Sequence, residues 1–219
     1  ELGGSDAFIV MPSADMDNAV EMAVKGRIQN NGQSCIAAKR FIVHADVYDI
    51  FRDRFVEAFK GLKTGDTMDE DNDVGPLAML DNVDDIEKQV QETVKKGAKI
   101  LVGCEKTEGK GYFYTPGIIE NIPEGSPAYE DELFGPVASL FKVGSLDEAI
   151  DLANDSKFGL GSAIFTTEKS DMDKAVKELD AGGTFINTIT ASDPRLPFGG
   201  VKASGYGREL ARFGIHEFV

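Results

Sequence analysis

Short apolar runs of strand formers alternate with amphipathic helical patterns along most of this 219-residue chain, and that alternation limits its fold more than any other feature. Residues 7–11 (AFIVM) are the first such run, closed by Pro12. Ser13 can cap a helix in which Ala19, Met22, Ala23 and Gly26 recur at three- and four-residue steps. Residues 41–43 predict a second strand, and 47–59 a helix carrying Ile50, Phe51, Phe55 and Phe59 on one face. Further helices are expected over about 81–96, 145–155 and 168–180, with strands over 99–102, 112–115, 117–120, 138–143, 160–166 and 184–187. The acidic, turn-rich stretch 65–77 reads as a surface loop. Helices between strands favour crossover connections, so the expected fold class is α/β, a sandwich with a largely parallel sheet. With no repeat, low-complexity segment or obvious linker, residues 1–219 read as one domain.

A net charge of −15 argues against nucleic-acid and anionic-membrane partners, which require a basic surface. Apolar residues at 42% and charged residues at 28% are ordinary for a globular protein and argue against disorder. Two cysteines do not make a disulfide framework at this size and point to a reducing, cytoplasmic compartment. No apolar run approaches a membrane span, and no signal peptide is visible. The chain opens at Glu1, without methionine, directly into an apolar strand, which reads as an internal cut in a longer protein.

Cys35 lies in the turn-forming stretch NNGQSC, between a helix and a strand, where a thiol is more readily exposed than on a packed face. Its thiolate would be the reactive form and would need stabilisation or a nearby base. Taken alone, it reads more readily as a buried small hydrophobe, and Cys104 is read that way. His44 and His216 leave a cysteine–histidine hydrolase open, while two Cys and two His without ligand spacing give no readable metal site. The acidic run 130–132 leads into Leu133-Phe134-Gly135-Pro136-Val137, a junction that suggests a shaped loop. Segments 197–200 and 204–207 are dense in glycine near an aromatic residue, which turn chemistry alone would explain. No G-x-G-x-x-G follows a strand and no P-loop is present, so the phosphate-holding part of a dinucleotide site is missing from these residues.

Four stretches taken in order resemble the aldehyde dehydrogenase superfamily. Glu1-Leu2-Gly3-Gly4 resembles its ELGG motif, and Gly32-Gln33-Ser34-Cys35 its GQxC motif, 34 positions from glutamate to cysteine. Glu132–Val137 resembles the E-[IL]-F-G-P-V loop, and residues 197–209 the closing PFGG-x-K-x-SG-x-GRE signature. The resemblance covers the whole chain and implies the three-layer α/β/α catalytic domain of that family. It implies Cys35 as nucleophile and Glu1 as the base that activates water. Glu132 and Phe134 would hold the nicotinamide end of NAD or NADP, and Phe198 would line the aldehyde tunnel. Lys202 and Arg208-Glu209 are read as a structural loop and helix start.

Within the family, segments 32–43, 192–210 and 213–218 resemble the succinate-semialdehyde dehydrogenase-like branch. Ser192 and Arg195 are then candidates for the substrate carboxylate. Some enzymes of that branch carry an arginine six residues before the nucleophile; Gln29 stands there, and the nearest arginine is Arg27. The family resemblance further implies a cofactor-binding domain before Glu1 and an oligomerisation strand after Val219, both outside these residues. It implies a homodimer or homotetramer for the full-length protein, and an inactive fragment. Competing readings are a CoA-acylating aldehyde dehydrogenase, disfavoured by Glu1, and a non-catalytic binding protein of the same fold.

Overall fold

The computed structural model describes residues 1–107 and 109–219. Strand β1 (Ala7–Val10) is buried along its whole length. Ala7 and Ile9 enter one core cluster while Phe8 and Val10 enter another, so the strand reads as an uninterrupted apolar run. Helix α1 (Met16–Ile28), strand β2 (Arg40–His44) and helix α2 (Ala45–Lys60) follow. After a loop come α3 (Leu80–Lys95), β3 (Lys99–Val102), β4 (Gly117–Glu120) and the single turn α4 (Pro127–Glu130). Then β5 (Val137–Val143), α5 (Leu146–Asn154), β6 (Phe158–Gly159), β7 (Gly161–Phe165) and α6 (Lys169–Glu178) lead to β8 (Gly183–Ile186), β9 (Val201–Lys202) and α7 (Ala211–His216).

Seven strands form one sheet in the order β3-β4-β5-β2-β1-β7-β8, parallel throughout except for the antiparallel β3–β4 pair. β6 and β9 form a separate antiparallel pair. Helices α1 and α2 cover one face of the sheet through Phe8, Phe41, Phe51 and Phe55, with Phe8 and Phe165 stacked at 4.3 Å. Residues of α5 and α6 cover the other face over Ile9, Ile42 and Ile164, and α3 packs a third cluster on Ile119 of β4. The expected three-layer α/β/α architecture is therefore present. Among the described residues, no helix is long and apolar enough to cross a membrane.

Three local expectations fail for physical reasons. Asp15, not Ser13, caps α1: its carboxylate accepts from the amides of Asp17 and Asn18. Ser13 instead shares a 2.8 Å hydrogen bond with the Thr166 hydroxyl and ties the end of β7 to the turn after β1. Ile50 is 57% exposed, because adjacent helical positions cannot both face inward and Phe51 takes the core side with Tyr48, Phe55 and Phe59. Residues 112–115 form no strand; only Tyr114 bridges, to Lys106. Gly111 precedes them at φ +105° and Pro116 follows, so the segment has no room to extend.

Strands β5, β2 and β1 are adjacent and parallel, so their N-terminal ends open on the same end of the sheet. The segment 1–4 enters β1, the Cys35 turn enters β2, and the loop 132–136 enters β5. Topology alone thus gathers three motifs that lie far apart in sequence.

Candidate active site

Two close approaches explain why glycine stands where it does. A Cβ on Gly4 would lie 2.5 Å from the carbonyl oxygen of Cys35, so the Cys35 turn rests directly on the first motif. Gly32 has φ +76°, and a Cβ there would lie 2.3 Å from the Gly135 carbonyl oxygen, which seats the same turn on the loop entering β5. Asn30 and Asn31, both at positive φ, carry the chain out of α1 into this turn, and the Asn30 side chain donates to the Gln33 carbonyl at 2.8 Å.

Cys35 is partly exposed. It lines a cleft of about 410 Å³ together with Glu1, Gln33, Ser34, Ile36, Phe134, Ser192, Phe198, Glu209 and Leu210. Five of the seven expected site residues therefore meet in one place: Cys35, Glu1, Phe134, Phe198 and Ser192. Glu132 lies immediately behind, with its carboxylate against Gly3 and in an ion pair of 3.0 Å with Lys39. Glu132 and Phe134 also line a neighbouring cleft of about 270 Å³, so Phe134 stands between the two spaces.

Arg195 is not brought to the cleft. Its guanidinium forks onto the Asp193 carboxylate at 2.9 and 2.6 Å, with the side chain 85% exposed. A bidentate partner two residues away captures it before it can reach inward. Arg27 is fully buried and donates to the Gly32 carbonyl at 2.8 Å, and Gln29 donates to the Ile36 carbonyl. Both brace the turn from behind.

The first motif is held despite the exposure of Glu1. The Leu2 amide donates to the Ser204 carbonyl at 3.1 Å. The buried Ser204 hydroxyl donates to the Gly3 carbonyl at 2.7 Å and accepts from the Gly159 amide at 3.0 Å. Lys202 and Arg208 are structural, as expected: Lys202 donates to the Asn154 carbonyl, and Arg208 to the carbonyls of Gly200 and Gly207. Glu209 departs from that expectation. Its backbone pairs in both directions with Phe198, at 2.8 and 2.6 Å, and it lines the cleft. Partial burial raises the Glu1 carboxyl above its ordinary value, and the Glu209 charge raises it further.

The thiol is not activated by its surroundings as a whole. Burial pushes Cys35 up, Glu132 and Glu1 add to that, and Lys39 opposes it. The Cys35 backbone N–H also favours the thiolate. Lys39 escaped notice in the sequence, where a lysine beside Arg40 at the mouth of a strand looks like solvent-facing charge. Both are in fact buried, with Asp6 beside them. Arg40 donates to the carbonyls of Ser5, Leu152 and Ala153, and Asp6 accepts from the Gly161 amide. Burial pushes Asp6 up to about 6 and Lys39 down to about 8. Charges at the entry of a strand buried on both faces need internal partners, and that rule was the available signal.

Among the described residues no His/Cys/Asp/Glu cluster could hold a metal ion. His44 caps α2 by accepting from the Asp46 amide. Neither His44 nor His216 lines the Cys35 cleft, and a hydrolase dyad finds no support.

Comparison with known proteins places the whole chain in one family. The model of the "Aldehyde dehydrogenase family" matches residues 1–219. A succinate-semialdehyde dehydrogenase [NADP(+)] of Mycobacterium avium (strain 104) is 53% identical over 218 residues, covering 100% of this chain and 46% of the relative. The structure of succinic semialdehyde dehydrogenase from Streptococcus pyogenes in complex with NADP+ superposes with a TM-score of 0.96 at 40% identity, over 100% of this chain and 48% of that one. Lactaldehyde dehydrogenase from Escherichia coli gives 0.97 at 35% identity, over 100% and 46%. The chain spans about half the length of the curated relatives it matches. It belongs to the aldehyde dehydrogenase family.

Proposed function

We propose that this chain is the nucleophile-bearing part of an NADP+-dependent aldehyde dehydrogenase that oxidises succinate semialdehyde or a similar small aldehyde to the acid. The observation that carries the reading is the convergence of Cys35, Glu1, Phe134, Phe198 and Ser192 on one cleft. Similarity to enzymes named for succinate semialdehyde and NADP+ supports the substrate and the cofactor.

The Cys35 thiolate attacks the aldehyde carbon, giving a thiohemiacetal whose oxyanion the Cys35 backbone N–H receives. After oxidation the acyl group remains on sulfur as a thioester. Glu1 takes a proton from water as that water attacks the thioester; its raised pKa brings it nearer the operating pH of a base. Phe134 and Phe198 form apolar walls, and the Ser192 hydroxyl is one cleft donor for a substrate carboxylate. A nicotinamide cofactor suits the neighbouring cleft by donor chemistry, since the Glu132 carboxylate can accept from ribose hydroxyls and the Phe134 ring can pack on a flat heterocycle. When bound, it supplies the hydride acceptor.

An activated ester reaches the acyl-enzyme stage without any hydride step, so p-nitrophenyl acetate tests this chemistry in the 219-residue chain itself. Hydrolysis should proceed with a burst, and Cys35→Ser should lower it by about 10³-fold. Glu1→Gln should keep the burst but slow turnover about 10²-fold. Unchanged hydrolysis by Cys35→Ser would reject the reading. With aldehyde and NADP+, the chain alone should give no increase in nicotinamide absorbance, because the phosphate-holding motif is not among its residues.

A further inference from the structure

Lys39 is 1% exposed, and its ammonium group has three N–H donors. Two of them find carbonyl acceptors, Ser34 at 2.7 Å and Cys35 at 2.8 Å, and the ammonium group also forms an ion pair of 3.0 Å with Glu132 Oε1. Among the described residues no other cation meets both carbonyls that flank the Cys35 α-carbon. A trans peptide is planar, with its C=O and N–H pointing in opposite directions. Holding the Ser34 carbonyl from behind therefore aims the Cys35 N–H forward, away from Lys39.

We propose that Lys39 is a positioning residue for the nucleophile: it locks the two peptides around Cys35, aims the Cys35 N–H as an oxyanion donor, and sets a positive charge against the carboxylates that crowd the thiol. The proposal deepens the reading of Cys35 as nucleophile and rests on it. The charged groups facing the thiol are Glu132 from the loop entering β5, Glu1 from the segment entering β1, and Lys39 itself. Those facing Lys39 are Arg27 of α1, Glu132, and Asp6 at the entry of β1. Keeping an ammonium group in such burial is costly, and its two charge-assisted hydrogen bonds and the Glu132 ion pair offset that cost.

The test measures iodoacetamide alkylation of Cys35 against pH in the 219-residue chain, with mass spectrometry separating it from Cys104. Lys39→Met removes the cation, so the thiol titrates at higher pH and alkylation at pH 8 should fall about tenfold, the equivalent of one pKa unit. Glu132→Gln removes a carboxylate and should speed alkylation several-fold. If the Lys39–Glu132 pair were only a brace, both variants would move the profile in the same direction, and that result would overturn the proposal. Hydrogen exchange across residues 33–36 should accelerate in Lys39→Met and stay unchanged in Glu132→Gln. If Lys39→Met does not fold, a Glu132→Gln profile identical to the parent overturns the proposal alone. Failure of the underlying reading looks different: Cys35 of the parent chain would then alkylate no faster than Cys104.

Discussion

Cys35 and Cys104 both lie outside regular structure near a strand end, Cys35 in the turn before β2 and Cys104 after β3 next to Gly103. Burial raises the pKa of both thiols. Around Cys104, among the described residues, nothing opposes it. The residue is 1% exposed at φ +63°, packed in the cluster of Tyr114 and Ile119, and the carboxylates of Glu87 and Glu105 push the thiol further up. Cys35 has one open side toward the cleft and a buried ammonium group behind its peptides. The same residue type beside a strand end is thus sealed in one place and open to a cleft in the other. Reactivity lies in what the rest of the sheet brings to the turn.

Competition for an alkylating agent gives the largest expected contrast. Iodoacetamide should modify Cys35 about 10²-fold faster than Cys104 in the folded chain, a difference that denaturant should erase. Because its surroundings raise the Cys35 thiol, the rate should climb with pH up to and beyond 9. A plateau at neutral pH, or equal rates at the two thiols, would break the comparison. Glycine replacements sharpen it at an intermediate size. A Cβ on Gly117 would lie 2.2 Å from the Cys104 sulfur and one on Gly4 2.5 Å from the Cys35 carbonyl oxygen, so each alanine should cost about 1–3 kcal/mol by overpacking. Thermal unfolding should register both, but only Gly4→Ala should also slow Cys35 alkylation. The smallest effect is expected at Arg195, outside the cleft. Arg195→Ala should change ester hydrolysis by less than about twofold and leave thermal unfolding essentially unmoved, and a tenfold loss would return Arg195 to the site.

Much of this was legible in the sequence because the motifs carry their physics locally. Glycines at 4 and 32 mark close backbone approaches, and apolar runs at 7–10 and 41–43 mark strands buried on both faces. Spacing, however, does not reveal what surrounds a residue. Lys39 and Arg40 look like surface charge until strands on both sides of β2 enclose them. Glu209 reads as a helix start, and its place beside Glu1 depends on pairing with Phe198. Arg195 seemed poised for a carboxylate, yet the competing local acceptor was Asp193, two positions away. The missed and misplaced residues are those whose partners are chosen by the tertiary fold or by a nearer rival.

The bond from the Ser204 hydroxyl to the Gly3 carbonyl spans 201 positions of the chain. A ribosome delivers Gly3 long before Ser204, so the segment carrying Glu1 gains this anchor only after residue 204 has been synthesised and has folded back. The Cys35 turn can settle against β1 early, whereas this tie closes late.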